Sequence, residues 1–277
     1  TFLWSGTTNA WTTGTWDIML LTNQHASIML TLALAMKLGL APVHFWLPEV
    51  LQGTSLKTAL VITTWQKLAP LSLLYMTHNS LHPPILLTMG VMSTLVGGWG
   101  GLNQTQMRKV MAFSSIAHLG WMASVLTLSP TLMLLNLTLY LLMTASMFLM
   151  LIYMSSKTTQ DLSTTWPTSP TTTALALILL MSLAGLPPLT GFMPKWLILQ
   201  ELVMHNLSLT STIMALSALL SLFFYLRLSY LTALTLAPSQ TQNTYKWRLQ
   251  PTLKTPVMTT MLALSSMLLP MTPMLVM

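Results

Sequence analysis

The sequence holds no cysteine and only four acidic residues, and these absences bound its chemistry. Without thiolates the chain can form no disulfide and can hold neither a cysteine-bound metal nor an iron–sulfur cluster. Charged residues make up 5% of the 277, against roughly 25% in an ordinary soluble domain. Four acids and eleven bases cannot supply the charged surface that keeps a protein of this size in solution. A phosphate-binding loop, a dinucleotide fingerprint and zinc-ligand spacings are missing too, so no cofactor or metal is expected. The formal charge of +7 does not point to nucleic acid, because the bases are scattered between apolar runs and form no stripe with interleaved aromatics.

What fills the chain instead is apolar sequence in long uncharged runs: Leu68 to Met107, Val110 to Ser156, Leu162 to Pro194, Leu202 to Leu226 and Thr255 to Met277. A bilayer core of roughly 30 Å takes about 20 helical residues to cross. Each run holds at least one span, and the two longest hold two. The expectation is an all-α, polytopic transmembrane helix bundle with spans near 25–49, 56–77, 84–104, 110–127, 131–153, 171–204, 208–235 and 256–275. Residues 1–24 read as the tail of an earlier helix followed by a polar loop. The 171–204 segment exceeds one straight span, so it is tilted or broken. The 24 methionines and many threonines fit an organelle-encoded chain.

The loops test this count. With strict alternation, loops 50–55, 103–109, 154–170 and 236–255 share one side, and they or the adjoining helix ends carry Lys57, Arg108, Lys109, Lys157, Lys246, Arg248 and Lys254. Loops 78–83, 128–130 and 205–207 carry no lysine or arginine. That asymmetry is the positive-inside pattern. Arg227, near the end of its span, can snorkel to the basic side. Trp46, Tyr75 and Trp99, near span ends, read as interfacial anchors.

Three lysines lie deep in the spans. Lys37 sits mid-span in Ala35-Met36-Lys37-Leu38-Gly39-Leu40-Ala41-Pro42, and Lys67 in Thr64-Trp65-Gln66-Lys67-Leu68-Ala69-Pro70. Lys195 directly follows Gly185-Leu186-Pro187-Pro188-Leu189-Thr190-Gly191-Phe192-Met193-Pro194. A lysine at the bilayer centre costs roughly 2.5–3.5 kcal/mol on the insertion scale, and such residues face the bundle interior and mark ion or proton paths. Gly39 and Pro42 interrupt the first span, and Pro187 and Pro188 the sixth, because proline removes a backbone donor and clashes with the preceding turn. Unwound backbone survives in a membrane only where protein or a wet cavity satisfies it. Two broken spans in opposite directions, each with its lysine, form a transporter signature.

The remaining titratable groups are less specific. His118 lies mid-span and His44 just past the first break, and for each a histidine satisfied in the core accounts for the position as well as a proton chain does. Glu49 and Glu201 are either pathway carboxylates or partners of a nearby base. His78, His82 and His205 fall in the lysine-free loops and need no special role.

Lys37 to Val50, Trp65 to Pro70, Gly100 to Gln106, Ser114-Ser115-Ile116, and Gly185 to Phe192 with Pro194-Lys195-Trp196 together resemble the subunit 2 family of NADH dehydrogenases. Members are core membrane subunits of mitochondrial respiratory complex I, within a wider antiporter-like group that includes cation/proton antiporters. The match runs from about Ser27 to Met277.

The resemblance implies one membrane domain over 1–277 with inverted five-helix repeats: 1–78 as the remainder of the first, 84–236 as the second, and 256–275 as an extra C-terminal helix. It implies a midplane proton relay through Lys37, Lys67, Lys195 and His118, driven by quinone reduction elsewhere in the complex, with no NADH, flavin or iron–sulfur site in this chain. Further implications are neighbouring complex I membrane subunits and phospholipids as partners, and a place in the mitochondrial inner membrane with the basic loops on the matrix side. The family's opening helices, one bearing its pathway glutamate, have no counterpart here, so the sequence is expected to be incomplete before Thr1. An independent cation/proton antiporter and a purely structural scaffold are the competing readings.

Overall fold

The computed structural model describes residues 2–14, 23–166 and 169–233, with 259–260, 262–263, 265 and 270. Every extended element among them is a helix. The first, α1, spans Phe2–Thr13 and packs on α2, Gln24–Leu38. The helix tail expected at the start of 1–24 is therefore present and runs through Thr13, into the stretch expected as polar loop. Its threonines are accommodated because their hydroxyls bond back into the helix, Thr8 to Trp4 O at 2.9 Å and Thr13 to Asn9 O at 2.7 Å.

The first full span is broken as expected, into α2 and α3, Trp46–Gly53. The second is broken too, which the sequence reading missed: α4 covers Leu56–Thr63 and α5 Trp65–Met76, with Thr64 between them. Next come α6, Pro83–Gly101, α7, Met107–Val125, and α8, Pro130–Met154. The 154–170 loop contains a short helix not expected from sequence, α9, Thr159–Thr164. The sixth span divides into α10, Pro170–Ala184, and α11, Phe192–Met204, and α12 runs Ser208–Ala233. The expected helix at 256–275, apart from a few positions, and the basic loop at 236–255 lie outside the described residues.

Helix α12 shows which solvent this fold is built for. Its buried side carries Ser211, Ser217, Ser221 and Ser229, whereas Leu209, Leu216, Leu219 and Phe223 point outward and are exposed. A soluble helix buries leucine and exposes serine. Here Met214, Phe224 and Leu228 are buried among the serines, and an outer face of leucine and phenylalanine with serines packed inward suits a bilayer, where the outside is hydrocarbon.

Helices α6 and α7 cross closely because glycine removes the side chains between them. A Cβ on Gly120 would lie 2.2 Å from Ser93 Oγ and 2.7 Å from Gly90 O. Small residues at a crossing let membrane helices gain packing contacts that lipid cannot supply.

Loop contacts agree with the alternation. Arg108 Nη1 donates to Thr54 O, Met107 N–H to Lys157 O at 3.0 Å, and Arg227 Nη1 to Leu102 O at 2.6 Å. Three basic loops thus meet on one face, and Arg227 reaches it as expected. On the opposite face Gln24 Nε2 and His82 Nε2 are 3.2 Å apart.

Candidate functional site

Helix α2 stops at Gly39, whose φ of 79° is left-handed and suits a residue without Cβ. The N–H groups of Gly39 and Leu40 both turn back to Ala35 O, at 2.9 and 3.0 Å. Two further carbonyls of the last turn are taken by side chains. Trp46 folds back from the start of α3 and donates Nε1 to Met36 O at 3.0 Å. Lys67, only 1% exposed, donates Nζ to Leu38 O and lies 5.6 Å from the centroid of the Trp46 ring. Trp46 is thus a clamp on the broken helix rather than the interfacial anchor expected of it.

The second break repeats the arrangement. Helix α10 stops at Gly185, φ 84°, and Lys195 from the first turns of α11 places Nζ 2.9 Å from Ala184 O and 3.5 Å from Leu183 O. In both places a buried lysine Nζ meets the negative end of a half-helix, where partial charge of about −0.5 collects. Pro187 and Pro188 lie in the unwound turn between α10 and α11. The turn closes on itself through Leu189 N–H to Leu186 O at 2.9 Å and Phe192 N–H to Leu189 O at 3.1 Å.

His118 joins the second centre. It is buried on α7 and shares with Lys195, Ser114, Ser221 and Tyr225 a cavity of about 10 Å³, the size of one water. Its ring packs against Tyr140 of α8, centroids 5.5 Å apart. Around the first centre a larger cavity of about 470 Å³ is lined by Lys37, Trp46, Trp65, Gln66 and Lys67. Lys37 is exposed at its edge, so the structure brings Lys37 and Lys67 to one cavity while Lys195 and His118 share another.

The accessory candidates separate. His44 is buried in the α2–α3 connection, Nδ1 3.3 Å from Pro42 O and its ring against Phe45. Glu49 is exposed in the first turn of α3. Glu201 lies 4.0 Å from His205, one turn on, at the far end of α11, which favours the partner reading over a pathway carboxylate.

Sequence reasoning gave Trp46 another role and passed over the Thr64 break and Tyr140, whose hydroxyl donates to Thr63 O at 3.1 Å. A faint signal existed: two adjacent β-branched threonines, poor helix formers, six residues before Pro70.

Glycine-ended half-helices with buried lysines on their last carbonyls define an antiporter-like membrane subunit. A model of the family described as NADH:quinone oxidoreductase/Mrp antiporter, TM, matches residues 8–221, and one for the NADH dehydrogenase subunit 2 C-terminus matches 222–276. NADH-ubiquinone oxidoreductase chain 2 of Xenopus laevis is 56% identical over 271 residues, 98% of this chain and 79% of that one. The Canis lupus protein of the same name is 53% identical over 269 residues, 97% of this chain and 78% of that one. The chain belongs to the NADH-ubiquinone oxidoreductase chain 2 family.

Among solved structures, a chain of respiratory complex I from Thermus thermophilus superposes with a TM-score of 0.79 at 26% identity, covering 97% of this chain. The chain spans 64% of the length of that bacterial chain. A chain of the Mrp complex from Dietzia sp. superposes equally well, TM-score 0.79, at 17% identity, with 99% of this chain and 63% of that chain covered; it shares the fold.

Proposed function

We propose that the protein is a core membrane subunit of respiratory complex I, which relays protons across the mitochondrial inner membrane while NADH:ubiquinone oxidoreduction proceeds elsewhere in the complex. The observation that carries this reading is the repeated pairing of a buried lysine with the end of a broken helix, Lys67 with Leu38 O and Lys195 with Ala184 O. Half-helix ends at unwound backbone are where secondary transporters hold cations and protons.

In this reading each lysine is a proton station. With its proton on, the ammonium is held against the negative helix end. With the proton off that attraction weakens, and the side chain can turn to a neighbour. Lys37 serves the cavity it shares with Lys67, and His118 passes protons to and from Lys195 through the one-water cavity between them. The repeats are 1–78 and 84–236 in inverted relation, with 256–275 as an added helix. The basic loops face the matrix by the positive-inside rule, and the apolar outer faces meet phospholipid and neighbouring complex I subunits.

The test is Lys67→Met and Lys195→Met in the native gene, with the purified complex reconstituted in vesicles and proton uptake measured per NADH oxidised. Assembled complex with a clear loss of pumping is expected. Unchanged pumping leaves a scaffold, and recovery of the chain outside any NADH-oxidising complex leaves an independent antiporter.

A further inference from the structure

The break between α4 and α5 has no counterpart in the proton stations just described, and it sits one turn before Lys67. In a continuous helix the N–H of Lys67 would bond to the carbonyl four residues back, Thr63 O. Instead that N–H turns to Thr64 O at 3.3 Å, and Thr63 O receives the hydroxyl of Tyr140 at 3.1 Å. Two donors therefore compete for one buried carbonyl, the amide of Lys67 from within its own helix and a phenol from α8.

Tyr140 is fully buried, and the other face of its surroundings is the second centre, where its ring packs on His118. A single side chain thus touches the backbone that sets the azimuth of Lys67 and the imidazole beside Lys195. The hydroxyls of Thr63 and Thr64 bond back to Ala59 O at 2.9 Å and Leu60 O at 2.7 Å, so neither competes with Tyr140 for Thr63 O. Thr63 O, released from the helix ladder, needs a donor at this depth, and the Tyr140 hydroxyl supplies it.

We propose that Tyr140 is a positioning residue that holds the α4–α5 helix open at Thr63, and so keeps Lys67 on Leu38 O, while its ring ties that geometry to His118. The inference rests on the proton-station reading of Lys67. Tyr140 itself need carry no proton. Displacing its hydroxyl lets the Lys67 amide return to Thr63 O, which rotates the lysine away from the α2 end, so movement at His118 is transmitted to Lys67 through one hydrogen bond.

The test is Tyr140→Phe, which keeps the ring and deletes the donor, measured beside Lys67→Met in the reconstituted complex. Expected for Tyr140→Phe are normal assembly, unchanged NADH oxidation with an artificial acceptor, coupled turnover lowered about five-fold, the equivalent of one net hydrogen bond, and a shifted pH profile. A structure of the variant should show the Lys67 amide on Thr63 O. Wild-type coupled turnover and pH profile in Tyr140→Phe overturn the proposal even where Lys67→Met stops pumping. If Lys67→Met pumps normally, the station reading fails instead. Should Tyr140→Phe not assemble, hydrogen exchange in the native complex decides: Thr64–Lys67 amides exchanging faster than those of Met111–Ser115 support an open break, and equal protection overturns it.

Discussion

Lys67 and Lys195 hold the same partner in two places: each donates its Nζ to the carbonyl immediately before a left-handed glycine, Leu38 before Gly39 and Ala184 before Gly185. The two lysines arrive differently, one from a separate span and one from the second half of its own broken span. The shared feature is the end of a half-helix, whose free carbonyls need donors that the membrane does not offer.

The two glycines are expected to respond differently to alanine. Each substitution forces a left-handed backbone on an L-residue, at roughly 1–2 kcal/mol. At Gly185 the new Cβ also lies 3.0 Å from Lys195 Nζ, whereas at Gly39 the nearest atom is Leu47 Cδ1 at 3.3 Å. Both variants should lower the melting temperature of the complex, and Gly185→Ala should in addition cut proton pumping. Pumping assays on the two variants side by side check this.

Removing the clamp on the first break should matter as well. Trp46→Phe keeps a ring beneath Lys67 and deletes the indole N–H donated to Met36 O, leaving that carbonyl only the Gly39 N–H at 3.2 Å. The loss of one such hydrogen bond costs about 0.5–1.5 kcal/mol. The expected result is an assembled but less heat-stable complex with reduced coupled turnover, read by a thermal-shift series and NADH-driven proton uptake.

The α6–α7 crossing is intolerant of any side chain at Gly120, where Cβ would meet Ser93 Oγ at 2.2 Å. Overpacking of this kind costs typically 1–3 kcal/mol or more. Gly120→Val should prevent accumulation of the assembled complex on native gels. Gly53→Ala, with nothing within 4 Å of its Cβ, should leave it untouched.

On the basic face, burial pushes the Asp161 carboxyl up, but the N–H groups of Thr158 and Lys157, the Thr158 hydroxyl and the Lys157 charge outweigh it and hold the carboxyl below its ordinary 3.8. The capping bonds are short, 2.8 Å from Thr158 N and 3.0 Å from Lys157 N. A depressed carboxylate contributes stability above the unfolded value, and the contribution is lost as pH falls through the folded one. The carboxyl is largely exposed, so the effect is small. Asp161→Asn should be slightly less stable than the parent at pH 7, and the gap should close below about pH 4; melting curves at both pH values measure it.

Much of the site was legible in sequence because its signals are compositional. Lys67 and Lys195 stand out as charges in apolar runs, and Gly39, Pro42, Pro187 and Pro188 announce broken helices through backbone chemistry that needs no neighbour. Residues 5–13 were misread as loop because threonine favours loops in water, yet in this helix its hydroxyls bond back to carbonyls one turn earlier. Glu201 and His205 could be paired from their spacing alone, one helical turn apart.

Trp46, Thr63 and Tyr140 belong to the other category. Nothing local distinguishes Trp46 from a tryptophan at a membrane interface, and a tyrosine in an apolar helix carries no sign of its acceptor. Residues 63 and 140 are brought together only when α4 packs on α8. The chain itself determined the solvent it lives in and the helix stops at Gly39–Pro42 and Gly185–Pro188, since hydropathy and the φ preferences of glycine and proline act residue by residue. Which side chain satisfies each freed carbonyl was decided by the tertiary structure alone, because a buried acceptor takes whichever donor the neighbouring helix brings within 3 Å or so.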